Sequence, residues 1–325
     1  MHQRFHILAG PTCNNNCVFC MEDDRADRKQ RHELITPERV LQLLRDHVPH
    51  GEVMFTSGEP TLNRNLPTYV QWARRLGYRT VGLTTNARRL RYEPYTRQLL
   101  EQGLNHVVVS IHGPDARSHD GQTRSPGSFV ETVAGLEVLA RLRGPYRCAL
   151  HTSTVVGQRN HRRLREVYEL LRRFDVDQYI FNVMQPLGRG ALLLQKLVAR
   201  YRDVADEFAR FLAAVGEPLP PVYLVDLPRC TTEGLPDPVR GYVEFAFFTE
   251  YEIDGRPRPR VSKLHKEEEN RVKRDDCRRC NYDAPCTGVW RNYVEAYGWD
   301  EFVPVARQGR LAPKRRGRRP RPATP

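Results

Sequence analysis

From Glu52 to Val183 the sequence repeats one pattern: a short run rich in β-branched and aromatic residues, then a stretch with apolar residues at helical spacing. The strands read from this pattern are Glu52–Thr56, Thr80–Thr84, His106–Ile111, Arg147–Val155 and Gln178–Val183. Helices are expected between them at Leu66–Leu76, Tyr95–Gln102, Phe129–Leu142 and His161–Phe174. Ahead of these lie an apolar run, Phe5-His6-Ile7-Leu8, and a helix start at Thr36-Pro37-Glu38, continued by Leu41, Leu44 and Val48. A last helix is expected at Tyr201–Val215. Six strand–helix units in succession imply a parallel sheet, because parallel strands need a crossover between them. The expected class is therefore α/β, either an open sheet or an incomplete barrel.

Directly after the first strand comes Cys13-Asn14-Asn15-Asn16-Cys17-Val18-Phe19-Cys20. Three thiolates in one tight loop can hold three irons of a four-iron cluster. The absent fourth ligand leaves one iron open to a substrate or cofactor. The competing readings are a zinc knuckle and a reduced buried trio, but zinc sites usually pair their cysteines as Cys-x2-Cys. Seven of the eight cysteines fall into two groups, and Met1 to Phe5 leads into a strand without a signal-peptide pattern. That usage fits iron ligation in a reducing cytoplasm better than disulfides. Cys148 stands alone inside a strand and reads as a small buried residue.

The Cys-x3-Cys-x2-Cys loop, with an aromatic before its last cysteine, resembles the signature of the radical S-adenosylmethionine (SAM) enzymes. In that family the open iron of a [4Fe-4S] cluster is chelated by SAM, and one electron from the cluster releases a 5'-deoxyadenosyl radical that abstracts hydrogen. The resemblance implies a partial (β/α)6 TIM-like barrel with its site at the carboxyl ends of the strands. It places Cys13, Cys17 and Cys20 on the cluster and Phe19 beside the adenine. Thr56-Ser57-Gly58-Glu59-Pro60 resembles the family's Gly-Gly-Glu-Pro stretch, with Ser57 in place of the first glycine. Ser57, Gly58 and Glu59 are thereby expected at the SAM amino group. Asn86 ends the third strand as a Thr-Asn pair does in many relatives. Ser110-Ile111-His112-Gly113-Pro114 is similar to the family's Ser-x-Asp-Gly-Pro, with His112 where Asp is usual. Ser110 is expected to bond SAM, and Arg124 either pairs with its carboxylate or is a solvated loop charge. Thr152 and Asn182 are candidate ribose contacts, although β-propensity alone also accounts for a threonine in a strand. The ending Pro186-Leu187-Gly188-Arg189-Gly190 resembles peptide- and cofactor-modifying members. His151 and His161 read as ordinary sheet and surface residues.

Glu217-Pro218-Leu219-Pro220-Pro221 breaks the alternation and marks an expected domain boundary. The division read from the sequence is a barrel over 1–216, a small domain over 217–306 and a disordered basic tail over 307–325. Strand character follows at Val222–Leu227, Tyr242–Glu250 and Arg258–Lys263, the last two forming a hairpin around Ile253–Arg256. Cys277, Cys280 and Cys286 resemble the core of the auxiliary-cluster domain called SPASM, or its smaller twitch form. A full SPASM domain has a further cysteine where this chain offers Trp290. The supply of thiols then points to Cys230 as fourth ligand of one closed auxiliary [4Fe-4S] cluster, with structural zinc as the alternative.

The formal net charge is +13, but residues 307–325 carry eight Lys and Arg and no acid, so the rest of the chain is only mildly basic. A nucleic-acid partner is therefore expected only through the tail, and no apolar stretch approaches the length needed to span a bilayer. Three functions follow from the sequence. The first is radical modification of a peptide or protein side chain. The second is the same chemistry on a small-molecule or cofactor precursor. The third is a nucleic-acid-binding protein with structural clusters. The first two need an electron donor such as flavodoxin or ferredoxin, and no residue can be assigned as general acid or base.

Overall fold

The computed structural model describes residues 4–10, 12–21, 36–48, 51–236, 240–241, 249–250 and 270–305. The expected hairpin around Ile253–Arg256, most of Tyr242–Glu250, all of Arg258–Lys263, the charged stretch from residue 22 to 32 and the basic tail lie outside them.

The order begins β1 (Arg4–Leu8), α1 (Pro37–Asp46), β2 (Glu52–Thr56), α2 (Leu66–Arg75), β3 (Thr80–Thr85), α3 (Glu93–Glu101), β4 (His106–Ser110). It continues α4 (Ala116–Thr123), α5 (Ser128–Leu142), β5 (Ala149–Val156), α6 (Leu164–Leu171), β6 (Gln178–Val183), α7 (Arg189–Leu192), α8 (Leu194–Leu197) and α9 (Tyr201–Val215). Then come β7 (Val222–Val225), β8 (Arg240–Gly241), β9 (Thr249–Glu250), β10 (Arg271–Val272), β11 (Val289–Trp290) and α10 (Arg291–Tyr297). The helix start read at Thr36 is real: its Oγ1 accepts the Arg39 N–H at 3.3 Å, with Pro37 as first helical residue. Such a cap contributes about 1 kcal/mol.

β1 to β7 lie side by side in sequence order and all run parallel, with β8 outside β7 and β9 outside β1. The strand at Val222, read from the sequence as the start of a second unit, is the seventh strand of this sheet: Val222 pairs with Tyr179 and Val225 with Asn182. The eight Cα-to-Cα steps from Gly241 to Thr249 span at most about 29 Å when fully extended. Nine strands laid flat, at about 4.8 Å spacing, would hold β8 and β9 about 38 Å apart. The sheet is therefore curled, as an incomplete barrel requires.

Register sorts the side chains onto two faces. Phe5 stacks on His47 beside α1, Phe55 on Tyr69 of α2, and Phe181 meets Phe208 and Phe211 of α9. Those residues and their register partners, among them Val53, Val107, Leu150, Thr152 and Tyr179, face the helices. Burying an aliphatic or aromatic side chain there stabilises by about 1.5–3 kcal/mol each. Met54, Thr84, Ser110, Ser153 and Asn182 line the opposite, concave face.

Three helices of the barrel, α4, α7 and α8, were not legible in advance. α4, Ala-Arg-Ser-His-Asp-Gly-Gln-Thr, has no apolar stripe; Asp115 caps it by accepting the Ser118 N–H at 2.8 Å, and the residues it buries are His119, Gln122 and Thr123. Among the described residues no helix is long and apolar enough to cross a membrane.

Candidate functional site

The cysteine loop leaves β1 at the carboxyl end of the sheet and is held along its whole backbone. From below, the last carbonyls of α4 accept its amides: Asn16 N–H to Thr123 O and Val18 N–H to Gln122 O, both 2.8 Å. These are carbonyls that a helix end leaves without an intrahelical partner. On one flank the Arg88 guanidinium donates to the Asn14 carbonyl and, at 2.9 Å, to Asn15 Oδ1, while Asn86 Nδ2 donates to Asn14 Oδ1 at 2.7 Å. On the other flank Arg189 donates to Asn16 Oδ1 (2.6 Å), Asn16 O (3.2 Å) and Cys17 O (3.0 Å). Inside the loop the Asn15 N–H points at Cys13 Sγ at 3.4 Å. Burial pushes the Cys17 thiol up to about 12, with the neighbouring Cys13 and Cys20 adding to the shift. A thiol whose ionisation is opposed by burial and by its two neighbours suits a cationic centre that replaces its proton.

The rim beside the loop is built by close backbone approach. A Cβ on Gly10 would lie 1.9 Å from Ser57 O, and one on Gly58 (φ +52°) would lie 2.7 Å from both Gly10 O and Thr12 O. Only glycine permits that contact. Ser57 takes φ +69°, a left-handed conformation that the family's glycine adopts without strain. Glu59 is 1% exposed. Its Oε1 accepts the Thr61 N–H (3.1 Å), Thr61 Oγ1 (2.6 Å) and Thr85 Oγ1 (2.6 Å), and its Oε2 accepts the Asn86 N–H (2.7 Å). Burial raises its pKa and these four donors pull it back. The carboxylate expected to meet an ammonium group is thus turned inward and engaged by the chain's own donors. It ties the ends of β2 and β3 together, and Asn86 passes that order on to Asn14.

Of the residues expected along the later strands, Ser110 and Asn182 share the concave face. Between them stands Ser153, register partner of Ser110, whose Oγ accepts Asn182 Nδ2 at 2.6 Å. Thr152, the expected ribose contact, is 1% exposed and lies on the helix-facing side, because adjacent strand residues point to opposite faces. Its neighbour Ser153 is the residue that faces the hollow beside Ser110. Arg124 ends α4 in a left-handed conformation with an exposed side chain, apart from the loop's own contacts. Phe19 is buried with its ring edge-on to His112, centroids 4.7 Å apart. The Val155 N–H donates to His112 Nδ1 at 3.2 Å, which places that ring's proton on Nε2. Burial, then His119, holds the pKa of His112 well below 6.5.

The family comparison decides what such a loop on such a sheet is. Residues 7–183, more than half of the chain, match the model of the radical SAM superfamily. The chain belongs to the radical SAM superfamily. The AdoMet-dependent heme synthase of Methanosarcina barkeri is 27% identical over 188 residues, 57% of this chain and 51% of the relative. The GTP 3',8-cyclase of Marinobacter nauticus is 29% identical over 178 residues, 54% and 52% of the two chains. This radical SAM chain spans about half the length of these curated relatives. Among solved structures, native anSMEcpe with bound AdoMet superposes with a TM-score of 0.59 at 16% identity, covering 92% of this chain and 95% of that one. Streptococcus suis SuiB bound to its precursor peptide SuiA superposes with a TM-score of 0.53 at 14% identity over 69% and 48%. At such identities the likeness shows the fold. Membership implies a [4Fe-4S] cluster and SAM, and the three loop thiols fit the cluster.

In the radical SAM chain's second cysteine group, Cys277 to Cys280 form a tight turn, with the Cys280 N–H bonded to Cys277 O at 2.9 Å. Cys286 Sγ accepts the Gly288 N–H at 3.3 Å. Cys230 sits in a turn, Arg229–Thr231, after β7. Burial pushes its thiol up to about 12, and the nearby Cys286, Cys280 and Cys277 add to the shift. None of the eight cysteines forms a disulfide. Among the described residues no three His, Cys, Asp or Glu side chains converge as a single metal ion would require. A cluster of four irons and their sulfides holds its thiolates farther apart than one ion does.

Sequence reasoning missed Ser153, Arg88 and the clamp made by Arg189. Strand alternation carries the signal for Ser153 once the face of one residue is known. Nothing local in the sequence marks Arg88 or Arg189 as partners of a loop more than seventy residues away.

Proposed function

We propose that this chain is a radical SAM enzyme that modifies a peptide or protein side chain. In this reading Cys13, Cys17 and Cys20 hold the cluster, and Phe19 packs beside the adenine. The Ser57–Gly58 backbone receives the amino group, and Ser110, Ser153 and Asn182 line the remainder of the SAM site. When bound, cluster and SAM supply a 5'-deoxyadenosyl radical that takes hydrogen from the substrate. Cys230, Cys277, Cys280 and Cys286 hold a second [4Fe-4S] cluster, closed to substrate, in a small SPASM- or twitch-like unit. The electron enters from a donor such as flavodoxin or ferredoxin, and thiols that must stay reduced fit the cytoplasm.

The observation that carries this reading is the C-terminal thiol quartet, with Cys230 drawn to the later three, in a chain whose fold runs along almost the whole of native anSMEcpe. SuiB, of similar fold, is seen with a precursor peptide. A second reading, action on a small-molecule precursor, is favoured by the curated relatives, which are named heme synthase and GTP cyclase.

The test is anaerobic reconstitution followed by reaction with SAM and a strong reductant. The expected product is 5'-deoxyadenosine, and its absence from an iron-loaded chain ends the reading. Adding short peptides encoded beside the gene should then give a mass change in one of them. If only small molecules are altered, the second reading replaces the first.

A further inference from the structure

The loop after β6 touches both cysteine regions. On one side Arg189 makes the three contacts to Asn16 and Cys17, and its own N–H donates to Cys20 O at 3.2 Å. Gly188, at φ +51°, lies so close that a Cβ would stand 2.5 Å from Cys20 O and 2.8 Å from Met21 O. On the other side Pro186 O accepts Asn292 Nδ2 at 2.7 Å, from the helix that follows the C-terminal cysteines. That helix, α10, is pinned again by Tyr297 Oη donating to Val198 O at 2.9 Å and by Tyr293 stacking on Tyr201 at 4.0 Å. Residues 186–189 therefore form a rigid span between the N-terminal cysteine loop and the C-terminal segment.

We infer that this span is a bracket through which the C-terminal segment sets the geometry of the N-terminal cysteine loop, with Arg189 as its positioning residue. The inference rests on the radical SAM reading of that loop. Its physics is that of a permanently charged guanidinium. One of its nitrogens, Nη1, lies within 2.6–3.2 Å of Asn16 Oδ1, Asn16 O and Cys17 O, which fixes the backbone that carries the thiol of Cys17. The cation beside the thiolates also favours the reduced, more negative state of anything they hold, because opposite charge nearby stabilises added negative charge.

The experiment compares the full-length wild type with Arg189→Gln, Arg189→Lys and Asn292→Ala after reconstitution. It reads iron per chain, the rate of iron loss to a chelator, the midpoint potential, and the electron paramagnetic resonance signal that changes on SAM addition, which marks the first site. Arg189→Gln should weaken iron retention at that site by about 10–100-fold, the usual effect of removing an outer-shell partner, and move its midpoint to more negative values. Arg189→Lys keeps the charge but has a shorter side chain that cannot put its nitrogen where Nη1 lies, so it should restore the midpoint but only part of the retention. Asn292→Ala should alter the SAM-sensitive signal while the C-terminal site stays loaded. Wild-type retention and midpoint in Arg189→Gln, or an unchanged signal in Asn292→Ala, overturns the bracket. Should Arg189→Gln fail to fold, wild-type retention in Arg189→Lys overturns the positioning role of the guanidinium. A wild-type chain that takes up no iron at all overturns both this inference and the functional reading beneath it.

Discussion

The two cysteine regions are built in opposite ways. The loop from Cys13 to Cys20 has little structure of its own and borrows it from afar, from Asn86, Arg88, Gln122, Thr123 and Arg189. The stretch from Cys277 to Cys286 shapes itself by neighbouring turns: Cys277 N–H to Arg274 O, Asp283 N–H to Cys280 O and Cys286 N–H to Tyr282 O, at 2.9–3.2 Å. Among the described residues the sheet it adjoins is a two-residue ladder, β10 against β11. A loop fixed by a finished sheet is in place before any metal arrives. On the proposed reading, the string of turns is organised by the cluster its four thiols hold, so there metal affinity is folding energy.

The sharpest test of that contrast is Cys17→Ala. 5'-Deoxyadenosine formation should fall to background, and iron should drop from about eight to about four per chain. Amide exchange over residues 12–20 should nevertheless stay near wild type, because backbone bonds hold the loop. An unprotected loop would erase the contrast. Next comes Cys230→Ala, or chelation of the second site. Exchange over residues 270–288 should rise toward unprotected values while β1 to β7 stay protected and 5'-deoxyadenosine still forms. If both clusters remain intact, the fourth ligand lies elsewhere.

Glu59→Gln probes how much of the first site is set by the sheet. Its amide nitrogen would face donors, and losing charge-assisted bonds at about 1.5–3 kcal/mol each should lower the melting temperature and loosen iron. Full retention with unchanged stability would deny the tie between β2 and β3. A smaller effect is expected from Asp115→Ala, about 1 kcal/mol at neutral pH for a lost cap, read by denaturant titration. The Ser118 hydroxyl and N–H, then Arg163, hold the Asp115 carboxyl down at about 2, below its usual 3.8. The wild-type advantage is therefore fully present above 3.8 and disappears as the pH falls toward 2. A gap that persists at pH 2 would locate the effect elsewhere. Smallest is Ser57→Gly. Relief of left-handed strain, about 1–2 kcal/mol, is offset by about 0.4–1 kcal/mol from the freer unfolded chain. The net gain should lie between about 0 and 1.6 kcal/mol, and a loss would mean that the Ser57 hydroxyl has a role.

The sheet was legible because buried parallel strands are short β-branched runs and the crossovers between them are amphipathic. β2, β6 and α9 lie where the pattern put them. α4 was not legible because its buried face is polar, and His119 and Gln122 look like surface residues until the cysteine loop is laid on them. The cysteines announced themselves by spacing, but their supports did not. Thr152 was expected at the site and Ser153 was not, since a strand's composition does not say which alternate residue faces the hollow. Glu59 was expected at the site, yet two of the donors that enclose it, Thr85 and Asn86, come from the end of another strand and the residue after it.

α9 has no side-chain cap of its own. Its first free amides are taken by residues from the far end: the Tyr201 N–H by Tyr293 Oη at 2.9 Å and the Arg202 N–H by Glu301 Oε2 at 2.7 Å. Tyr293 Oη in turn donates to Glu301 Oε1 at 2.5 Å. The partner of Arg202 is 99 residues downstream. At synthesis rates of about 5–20 residues per second, the start of this helix waits about 5–20 s for its cap to be made. The closing helix of the barrel is thus finished late, by the same segment that carries the second cysteine group, and a chain cut short before Glu301 leaves the ribosome with that helix still frayed.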